Sequence, residues 1–347
     1  MVEKRKRTTT GSKGCRPNGS VGLARWSARG SAGVPAPSSS DCCRTRTGTT
    51  TVVGTWNVRS LYQPGRLANV IQEMKRMDID IMGVAETFWE GSGEFMSTLP
   101  NDDEQYKVIF SGGEHKRKGV AVILNEKTSK AIMTYETLTE RQMYVRISAK
   151  PFNLFILQVY APCNDADDED KERFYEEINN TVKNKVKHDD CLIILGDFNA
   201  KVGNGRESDI VGQYGLGERN ENGQHLIEFA EENNMFICNT WFQQRSAAQH
   251  TWISPDKRTK NQIDYILCHK RFRNGVKNCK SRPGADCGSD HNPVVAKLMV
   301  KLKAIKRKAK KSRKWNVEKM NDQNCKKSFE SEINEKLSTQ ELNTGTS

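Results

Sequence analysis

Residues 191–200 read CLIILGDFNA, an apolar run that ends directly on the acid Asp197 and the amide Asn199. A short apolar run bounded by turn residues is typical of a strand buried on both faces. In layered α/β folds the carboxyl ends of such strands meet at one edge of the sheet. The stretch therefore predicts a buried strand whose polar end faces a functional site.

From residue 51 onward, short apolar runs alternate with helical patterns and turn residues. The spacing of apolar residues predicts helices over 65–77, 168–186 and 222–234. The predicted strands cover 51–58, 79–86, 106–111, 119–124, 143–149, 152–160, 191–197, 235–240, 262–268 and 292–300. This is too much sheet for a doubly wound parallel fold. We therefore expect an α/β (α+β) sandwich of four layers, with two packed mixed sheets flanked by helices.

Charge is distributed unevenly along the 347 residues, whose formal net charge is +12. Residues 1–50 carry 10 basic and 2 acidic residues, residues 301–347 carry 13 and 6, and residues 51–300 carry 32 and 35. We expect basic, largely disordered tails over 1–50 and 301–347 around one folded domain over 51–300. The run KLKAIKRKAKKSRK at 301–314 is either a solvated tail or an arm that binds polyphosphate.

The sequence also bears on the compartment. No stretch approaches the roughly 18 consecutive apolar residues of a membrane-spanning helix, and no apolar segment follows MVEKRKR to form a signal peptide. The ten cysteines lack paired C-x-x-C spacing and are interpreted as reduced thiols. We expect an intracellular protein without a membrane partner. KRKR at 4–7 fits a nuclear import signal, and it fits a solvated tail equally well.

Polar side chains end or precede several other predicted strands. They are Asn57, Glu86 and Tyr160 at strand ends, Asp264 within a strand, and Asp290 and His291 directly before one. Each alone is explained by a turn, a helix cap or a surface side chain. A buried acid is costly unless it is paired or bound to metal, and no comparable set of arginines accompanies these acids. Carboxylate and amide oxygens together indicate Mg²⁺, with Mn²⁺ as the alternative.

Six motifs connect these residues to a known family. TWNVRSL, GVAET, QVYAP, GDFNA, QIDYIL and GSDHNPV follow one another over about residues 50–300. Their order and intervals resemble the endonuclease/exonuclease/phosphatase superfamily, which has the fold of DNase I and exonuclease III. TWNVRSLYQPGRL and AETFWEGSGE resemble the craniofacial development protein 2-like proteins, which are similar to endonuclease domains of LINE-type retroelements. The resemblance implies a DNase I-like fold and a retroelement-derived reading frame.

The resemblance implies a catalytic divalent ion held by Glu86 as its principal ligand and by Asn57, with Asp290 as a neighbour of the metal site. One position departs from the family pattern. DNA-repair members carry an acid two residues after the asparagine, whereas this chain has Arg59, a cation that would repel a metal ion there. A single-metal site follows, in which Arg59 contacts the substrate phosphate or pairs with a carboxylate of the site.

The resemblance also implies which residues handle the phosphate. Asp197 would activate the attacking water, Asn199 would steady the scissile phosphate and Tyr160 would orient or stabilise it. His291, oriented by Asp264, would donate a hydrogen bond to a phosphate oxygen and neutralise its developing charge. Phosphodiester hydrolysis needs a deprotonated water in line, a cation on the developing charge and a stabilised leaving group.

The substrate depends on the loops around the site, because one catalytic set serves nucleases, phosphatases and sphingomyelinases alike. Basic residues cluster between 254 and 282, directly after Trp252, which suits contacts to backbone phosphates. Arg59, Trp252 and Arg258 are the candidate substrate-binding residues. We expect a Mg²⁺-dependent endonuclease that nicks DNA. A catalytically idle nucleic-acid-binding or scaffold protein, and a phosphatase for a small phosphorylated substrate, remain alternatives, and the sequence does not indicate an oligomeric state.

Overall fold

The computed structural model describes residues 50–100, 102–113, 117–305 and 322–341. The N-terminal tail expected over 1–50 lies outside this part of the chain, apart from its last residue. In the described residues the strands are β1 (Thr51–Asn57), β2 (Ile81–Ala85), β3 (Ser92–Thr98), β4 (Gln105–Ser111), β5 (Val120–Leu124), β6 (Ile132–Thr139), β7 (Gln142–Ile147), β8 (Ala149–Lys150), β9 (Asn153–Tyr160), β10 (Asp190–Asp197), β11 (Met235–Ile237), β12 (Trp252–Ile253), β13 (Lys260–Asn261), β14 (Asp264–His269), β15 (Val276–Ser281), β16 (Val294–Leu298) and β17 (Lys301–Leu302).

The three helices predicted from apolar spacing are present. The described helices are α1 (Arg66–Arg76), α2 (Glu126–Ser129), α3 (Asp168–Lys185), α4 (Glu221–Glu232) and α5 (Gln323–Glu341). Asn220 caps α4 by accepting a hydrogen bond from the backbone N–H of Gly223, which satisfies one of the free donors of the first turn. Among the described helices, none is both long and apolar enough to cross a bilayer.

Two mixed sheets form the centre of the fold. Across the described residues, one sheet has seven strands in the order β15-β16-β1-β2-β5-β4-β3, and the other has six in the order β11-β14-β10-β9-β7-β6. β1 is parallel to β2 and β10 is parallel to β9, while the other neighbours in both sheets are antiparallel. The parallel pairs occupy the middle of each sheet, which explains why these four strands are buried along nearly their whole length.

The sheets pack face to face, and helices cover their outer faces. The core between the sheets contains Val53 from β1 and Ile156 from β9, among other fully buried aliphatic side chains. On the outside of the first sheet, α1 buries Val70 and Met74 against the strands, and α3 and α4 do the same on the second sheet. Each fully buried aliphatic side chain contributes roughly 1.5–3 kcal/mol. The predicted four-layered α/β sandwich is confirmed.

One contact fixes how closely the two sheets approach. Gly83 in β2 faces Gln158 in β9, and a Cβ atom at Gly83 would lie 1.8 Å from Oε1 of Gln158 and 2.2 Å from Cδ1 of Leu195. The same Oε1 accepts a hydrogen bond of 3.4 Å from the Thr55 hydroxyl of β1. Glycine fits this close approach without a shift, whereas a side chain at residue 83 would have to displace Gln158 and Leu195.

Some boundaries differ from those predicted. The strand expected over 235–240 ends at Ile237, because Cys238–Trp241 forms a 3₁₀ turn in which the Thr240 hydroxyl donates to the Ile237 carbonyl. β3, β6 and β15 were not predicted, and all three are strands at sheet edges. Asp264 begins β14, whereas the sequence predicted it within a strand.

The C-terminal boundary also differs from the prediction. Val300 and Leu302 are buried in the core, and β17 pairs with β8, so the folded domain extends past residue 300. The tail was expected to be largely disordered, but Gln323–Glu341 form the helix α5. Among the expected tail residues, 306–321 and 342–347 lie outside the described part of the chain.

Candidate active site

The site lies at the edge where the central strands of both sheets end. Asn57, the last residue of β1, pairs with Ala85, so Glu86 follows directly beside it. In the second sheet, Asp197 at the end of β10 pairs with Tyr160 on one side and with Asp264 on the other. Strand register alone therefore brings together residues that are far apart in the sequence, as the apolar runs predicted.

These strand ends surround an open pocket of about 500 Å³. Its lining residues are Arg59, Glu86, Tyr160, Cys163, Asn164, Asp197, Asn199, Lys201, Asn220, Trp252, Asn261, Ile263, Asp290 and His291. Of the predicted site residues, Asn57 and Asp264 are buried and contact this lining through hydrogen bonds. Arg258 does not line the pocket, because it lies on the exposed turn between β12 and β13, where its backbone N–H donates to Asp256.

Glu86 is held by two neutral donors. The Asn57 side-chain amide donates to Glu86 Oε1 at 2.8 Å, and the Tyr160 hydroxyl donates to the same oxygen at 2.9 Å. Burial and then the charges of Glu86 and Asp197 raise the pKa of Tyr160, so its hydroxyl stays protonated as a donor. Asn57 Oδ1 accepts from the Arg59 backbone N–H at 3.0 Å. In this arrangement the NH₂ group of Asn57 orients the carboxylates of Glu86 and Asp197, whereas the family resemblance implies that Asn57 helps to hold the metal ion.

Asp197 has the environment of a general base. Its Oδ2 accepts from Asn57 at 2.9 Å and its Oδ1 accepts from the Asn199 backbone N–H at 2.9 Å. Burial, followed by the charge of Asp264, raises the pKa of Asp197 to about 7, although His291 and the Asn57 hydrogen bond oppose this. A carboxyl with a pKa near neutrality suits proton abstraction at physiological pH.

His291 and Asp264 form a buried pair beside Asp197. His291 Nδ1 lies 2.9 Å from Asp264 Oδ2. Burial alone would lower the pKa of His291, but the charge and hydrogen bond of Asp264 outweigh burial and raise this pKa to about 9. The imidazole is therefore protonated at neutral pH and can serve as a donor to an anion in the pocket.

The carboxylate oxygens of the site are suitable ligands for a divalent cation. Asp290 Oδ1 is buried and has no hydrogen-bond partner among the described residues, while its Oδ2 accepts from Arg59 Nη1 at 3.2 Å and from Trp252 Nε1 at 3.3 Å. A buried carboxylate oxygen without a partner is costly unless a cation compensates it. Asp197, Asp264 and His291 place potential ligand atoms within 4.8 Å of one another, and with His291 protonated the two carboxylates are the groups that can bind a cation there. Arg59 pairs with a carboxylate, which was one of its two expected roles.

Several site residues adopt backbone conformations that most side chains avoid. Arg59, Glu86 and Asn199 have φ angles of 49°, 57° and 47°, in the left-handed region. Such conformations cost of order 1–3 kcal/mol each and cluster at functional sites. Asp197 and Asn199 also form an Asx-turn, because the Asn199 N–H donates to Asp197 Oδ1. The turn and the functional role therefore coexist.

Arg66 was missed by sequence reasoning and links two loops of the site. Its guanidinium donates to the carbonyls of Arg59 (2.7 Å), Ser60 (2.9 Å), Cys287 (3.0 Å) and Gly288 (2.6 Å). Gly288 has φ +80°, and a Cβ there would lie 2.6 Å from Arg66 Nη2. Arg66 thus joins the loop after β1 to the loop that carries Asp290. An arginine at the start of a helix gives no sequence signal for this role.

Comparison with known proteins follows the geometry of the site. The profile of the Endonuclease/Exonuclease/phosphatase family matches residues 54–291. Craniofacial development protein 2 from Bos taurus is 41% identical over 325 residues, covering 93% of this chain and 52% of that protein. The protein of the same name from Tragulus javanicus is 42% identical over 285 residues, covering 81% of this chain and 47% of the relative. The chain spans about half the length of the curated relatives it matches.

A solved structure supports the fold. The catalytic domain of APE2 from Xenopus laevis superposes with a TM-score of 0.54 at 19% identity, covering 74% of this chain and 94% of that domain. Identity this low shows a shared fold and does not identify a substrate.

Proposed function

This chain belongs to the endonuclease/exonuclease/phosphatase family, and from that membership we propose that it is a divalent-metal-dependent phosphodiester hydrolase that nicks DNA. One observation supports this most strongly. A single pocket brings together the near-neutral carboxyl of Asp197, the protonated His291 with its partner Asp264, and the carboxylate of Glu86. These groups supply a base, a donor to an anion and a ligand for a cation.

In the proposed reaction, Glu86 and the unpartnered Oδ1 of Asp290 would hold Mg²⁺ or Mn²⁺. The bound ion would place positive charge against the phosphate oxygens. Asp197, fixed by the Asn57 amide, would take the proton of the attacking water. The protonated His291 would donate to a phosphate oxygen as negative charge develops there, while Asp264 keeps the imidazole charged and oriented.

Tyr160 and Asn199 complete the phosphate-binding side of the pocket. Tyr160 remains a neutral hydroxyl and reaches Glu86, so it would hold the carboxylate and the substrate phosphate in register. The Asn199 amide donates to the Ala161 carbonyl at 3.0 Å, which fixes the side chain at the pocket wall. Trp252, whose Nε1–H donates to Asp290, would form the opposite wall against the sugar or base of the substrate.

DNA is the proposed substrate because the pocket is open and is lined by Arg59 and Lys201, while the sequence carries basic tails on both sides of the domain. An origin from a LINE-type retroelement and a nuclear location, supported by KRKR at 4–7, belong to the same proposal. The resemblance of TWNVRSLYQPGRL to such endonucleases supports the origin.

A plasmid-nicking assay tests the proposal. The parent protein should relax supercoiled plasmid in the presence of Mg²⁺ or Mn²⁺, and EDTA should abolish this activity. Asp197→Asn should lower the rate by about 10²–10⁴-fold, since it removes the base with little change of shape. A parent that binds DNA without nicking it would favour the binding or scaffold protein. A parent that hydrolyses a small phosphomonoester but leaves plasmid intact would favour the phosphatase.

A further inference from the structure

The basic residues in β15 and directly after it lie toward opposite ends of this strand. Ser281 pairs with Val294 and the Arg282 backbone N–H donates to the Pro293 carbonyl, so the end of β15 lies beside the segment that carries His291. The start of β15 lies at the far end of the molecule, where Lys277 lines a separate cavity with Leu298. Lys280 and Arg282 therefore lie toward the active site, and Lys277 lies away from it.

Lys280 and Arg282 at this end are joined by Arg245, and we call the three residues the basic cluster. The segment of Arg245 lies beside β15, because the neighbouring Gln244 side chain donates to Asn278 Oδ1 at 2.9 Å. Burial and then the positive charges of Arg282 and Arg245 lower the pKa of Lys280. Within the described residues, no acidic side chain forms an ion pair with any of the three. Arg282 Nε is buried and makes no hydrogen bond.

Such a cluster is not explained by the stability of the fold. Like charges placed together without an acid destabilise the folded state, and residues 51–300 carry 35 acids that elsewhere neutralise many cations. Arg59, Arg146 and Arg219, for example, each pair with an acid. An anion from outside the chain would relieve the repulsion that Arg245 and Arg282 exert on Lys280.

The position of the cluster indicates which anion. The Asn292 backbone N–H donates to the Thr251 carbonyl at 2.6 Å, and Trp252 bridges to His291, so the pocket wall continues without a break into the segment beside Arg282. A substrate strand that extends from His291 along this segment would pass the basic cluster. In a nucleic-acid strand, every phosphate has another phosphate one nucleotide away.

We propose that Arg245, Lys280 and Arg282 form a subsite for a DNA backbone phosphate next to the scissile one, outside the catalytic pocket. This inference rests on the proposed function, because it assigns a second contact to the same substrate. The folded domain would then grip the strand itself, independently of the basic tails. A substrate with a single phosphate would not reach the subsite.

The test compares two triple variants of the full chain with the same change in charge. The first is Arg245→Gln/Lys280→Gln/Arg282→Gln. The matched control is Lys127→Gln/Lys150→Gln/Lys183→Gln, which alters three exposed lysines in α2, β8 and α3. The affinity for a fluorescent 20-base-pair duplex is measured in EDTA over a range of salt, so that binding is read without cleavage.

The cluster variant should bind about tenfold more weakly near physiological salt, and its log–log salt slope should fall by roughly one unit for each phosphate that is no longer neutralised. The control should stay within about twofold of the parent. With Mg²⁺, hydrolysis of bis(p-nitrophenyl) phosphate, which has one phosphate, should be equal in the parent and in the cluster variant. Equal loss of DNA affinity in both triple variants, or none in the cluster variant, would overturn the subsite.

Two further measurements keep the outcomes distinct. If the triple variant does not fold, Arg245→Gln alters only the exposed member of the cluster and should lower the slope by roughly one unit. An unchanged salt slope of DNA binding for Arg245→Gln overturns the proposal as well. A parent that shows the expected binding changes but cuts neither substrate would keep the subsite and remove the proposed catalysis.

Discussion

His291 and Asp264 lie 27 positions apart in the sequence, yet His291 Nδ1 and Asp264 Oδ2 are 2.9 Å apart in the interior. Both side chains are buried, and the Trp56 indole N–H donates to the His291 carbonyl at 2.8 Å. Asp264 Oδ1 has no hydrogen-bond partner. The pair is therefore fixed from behind while the imidazole borders the pocket, so its protonation affects both stability and reactivity.

The pair predicts a pH-dependent contribution to stability. The pKa of His291 rises from 6.5 to about 9 on folding, so its stabilisation is fully present below pH 6.5 and is lost as pH rises through about 9. Between pH 6 and pH 10 the parent should lose roughly 2 kcal/mol more unfolding free energy than Asp264→Asn. Urea denaturation in EDTA measures this. Equal losses in both proteins would contradict the assigned proton.

Activity should follow a bell-shaped pH profile. Asp197 must be deprotonated and its pKa is about 7 without a metal, so kcat/KM should rise up to about this pH, or earlier where a bound cation lowers the pKa. The rate should fall again near pH 9 as His291 loses its proton. In His291→Asn the alkaline limb should disappear. A variant that keeps that limb would assign it to another group.

Removing the Glu86 carboxylate should weaken metal binding directly. Glu86→Gln should lower Mn²⁺ affinity at least about tenfold, because even groups that only support ligands change metal affinity by 10–100-fold. Electron paramagnetic resonance of free Mn²⁺ measures this without any substrate. Glu90→Gln, an exposed acid four positions further on, is the matched control and should bind Mn²⁺ like the parent. Identical titrations for all three proteins would place the ion elsewhere.

Arg66→Ala should destabilise the protein by roughly 2 kcal/mol, since it removes hydrogen bonds from a charged donor to four backbone carbonyls. Arg76→Ala at the other end of α1 removes an exposed pair with Glu73 and should cost less than about 0.5 kcal/mol. Urea denaturation of the two variants checks the difference. Similar losses would mean that the hydrogen bonds of Arg66 contribute little.

The C-terminal tail is expected to bind additional phosphates. Because Leu302 is buried, the truncation that tests this should end at residue 305 and not at 300. Removal of residues 306–347 should weaken duplex affinity and reduce its salt slope by roughly one unit for each phosphate that the tail neutralises. If the truncated chain keeps the parent's slope, the tail is a solvated segment.

The sequence predicted the parts of the fold that are buried on both faces. β9 and β10 contain long apolar runs, and β1, β9 and β10 are buried along nearly their whole length, so turn residues at their ends marked them as strands. β3, with the sequence SGEFMST, lies at a sheet edge and is mostly exposed, so its polar residues resemble a loop. Edge strands are specified by pairing with a neighbour, which a single sequence does not show.

The residues of the candidate site also differ in how clearly the sequence indicates them. Asp197 and Glu86 were found because an acid at the end of an apolar run is conspicuous. Arg66 was missed because its partners are backbone carbonyls, which have no sequence signature. Arg258 was chosen on charge alone, and the structure places it on an exposed turn. The charge of a residue does not show whether its side chain faces the pocket or lies on an exposed turn.

The contact between Gly83 and Gln158 governs more than packing. Asn57 and Glu86 arrive from one sheet, while Tyr160, Asp197 and Asp264 arrive from the other, so the catalytic arrangement exists only at the seam between them. A side chain added at residue 83 must displace Gln158 or Leu195, and it therefore alters this seam without changing any candidate catalytic residue. We expect such a substitution to disturb the relative positions of the two groups of site residues, although every residue of the candidate site remains in the sequence.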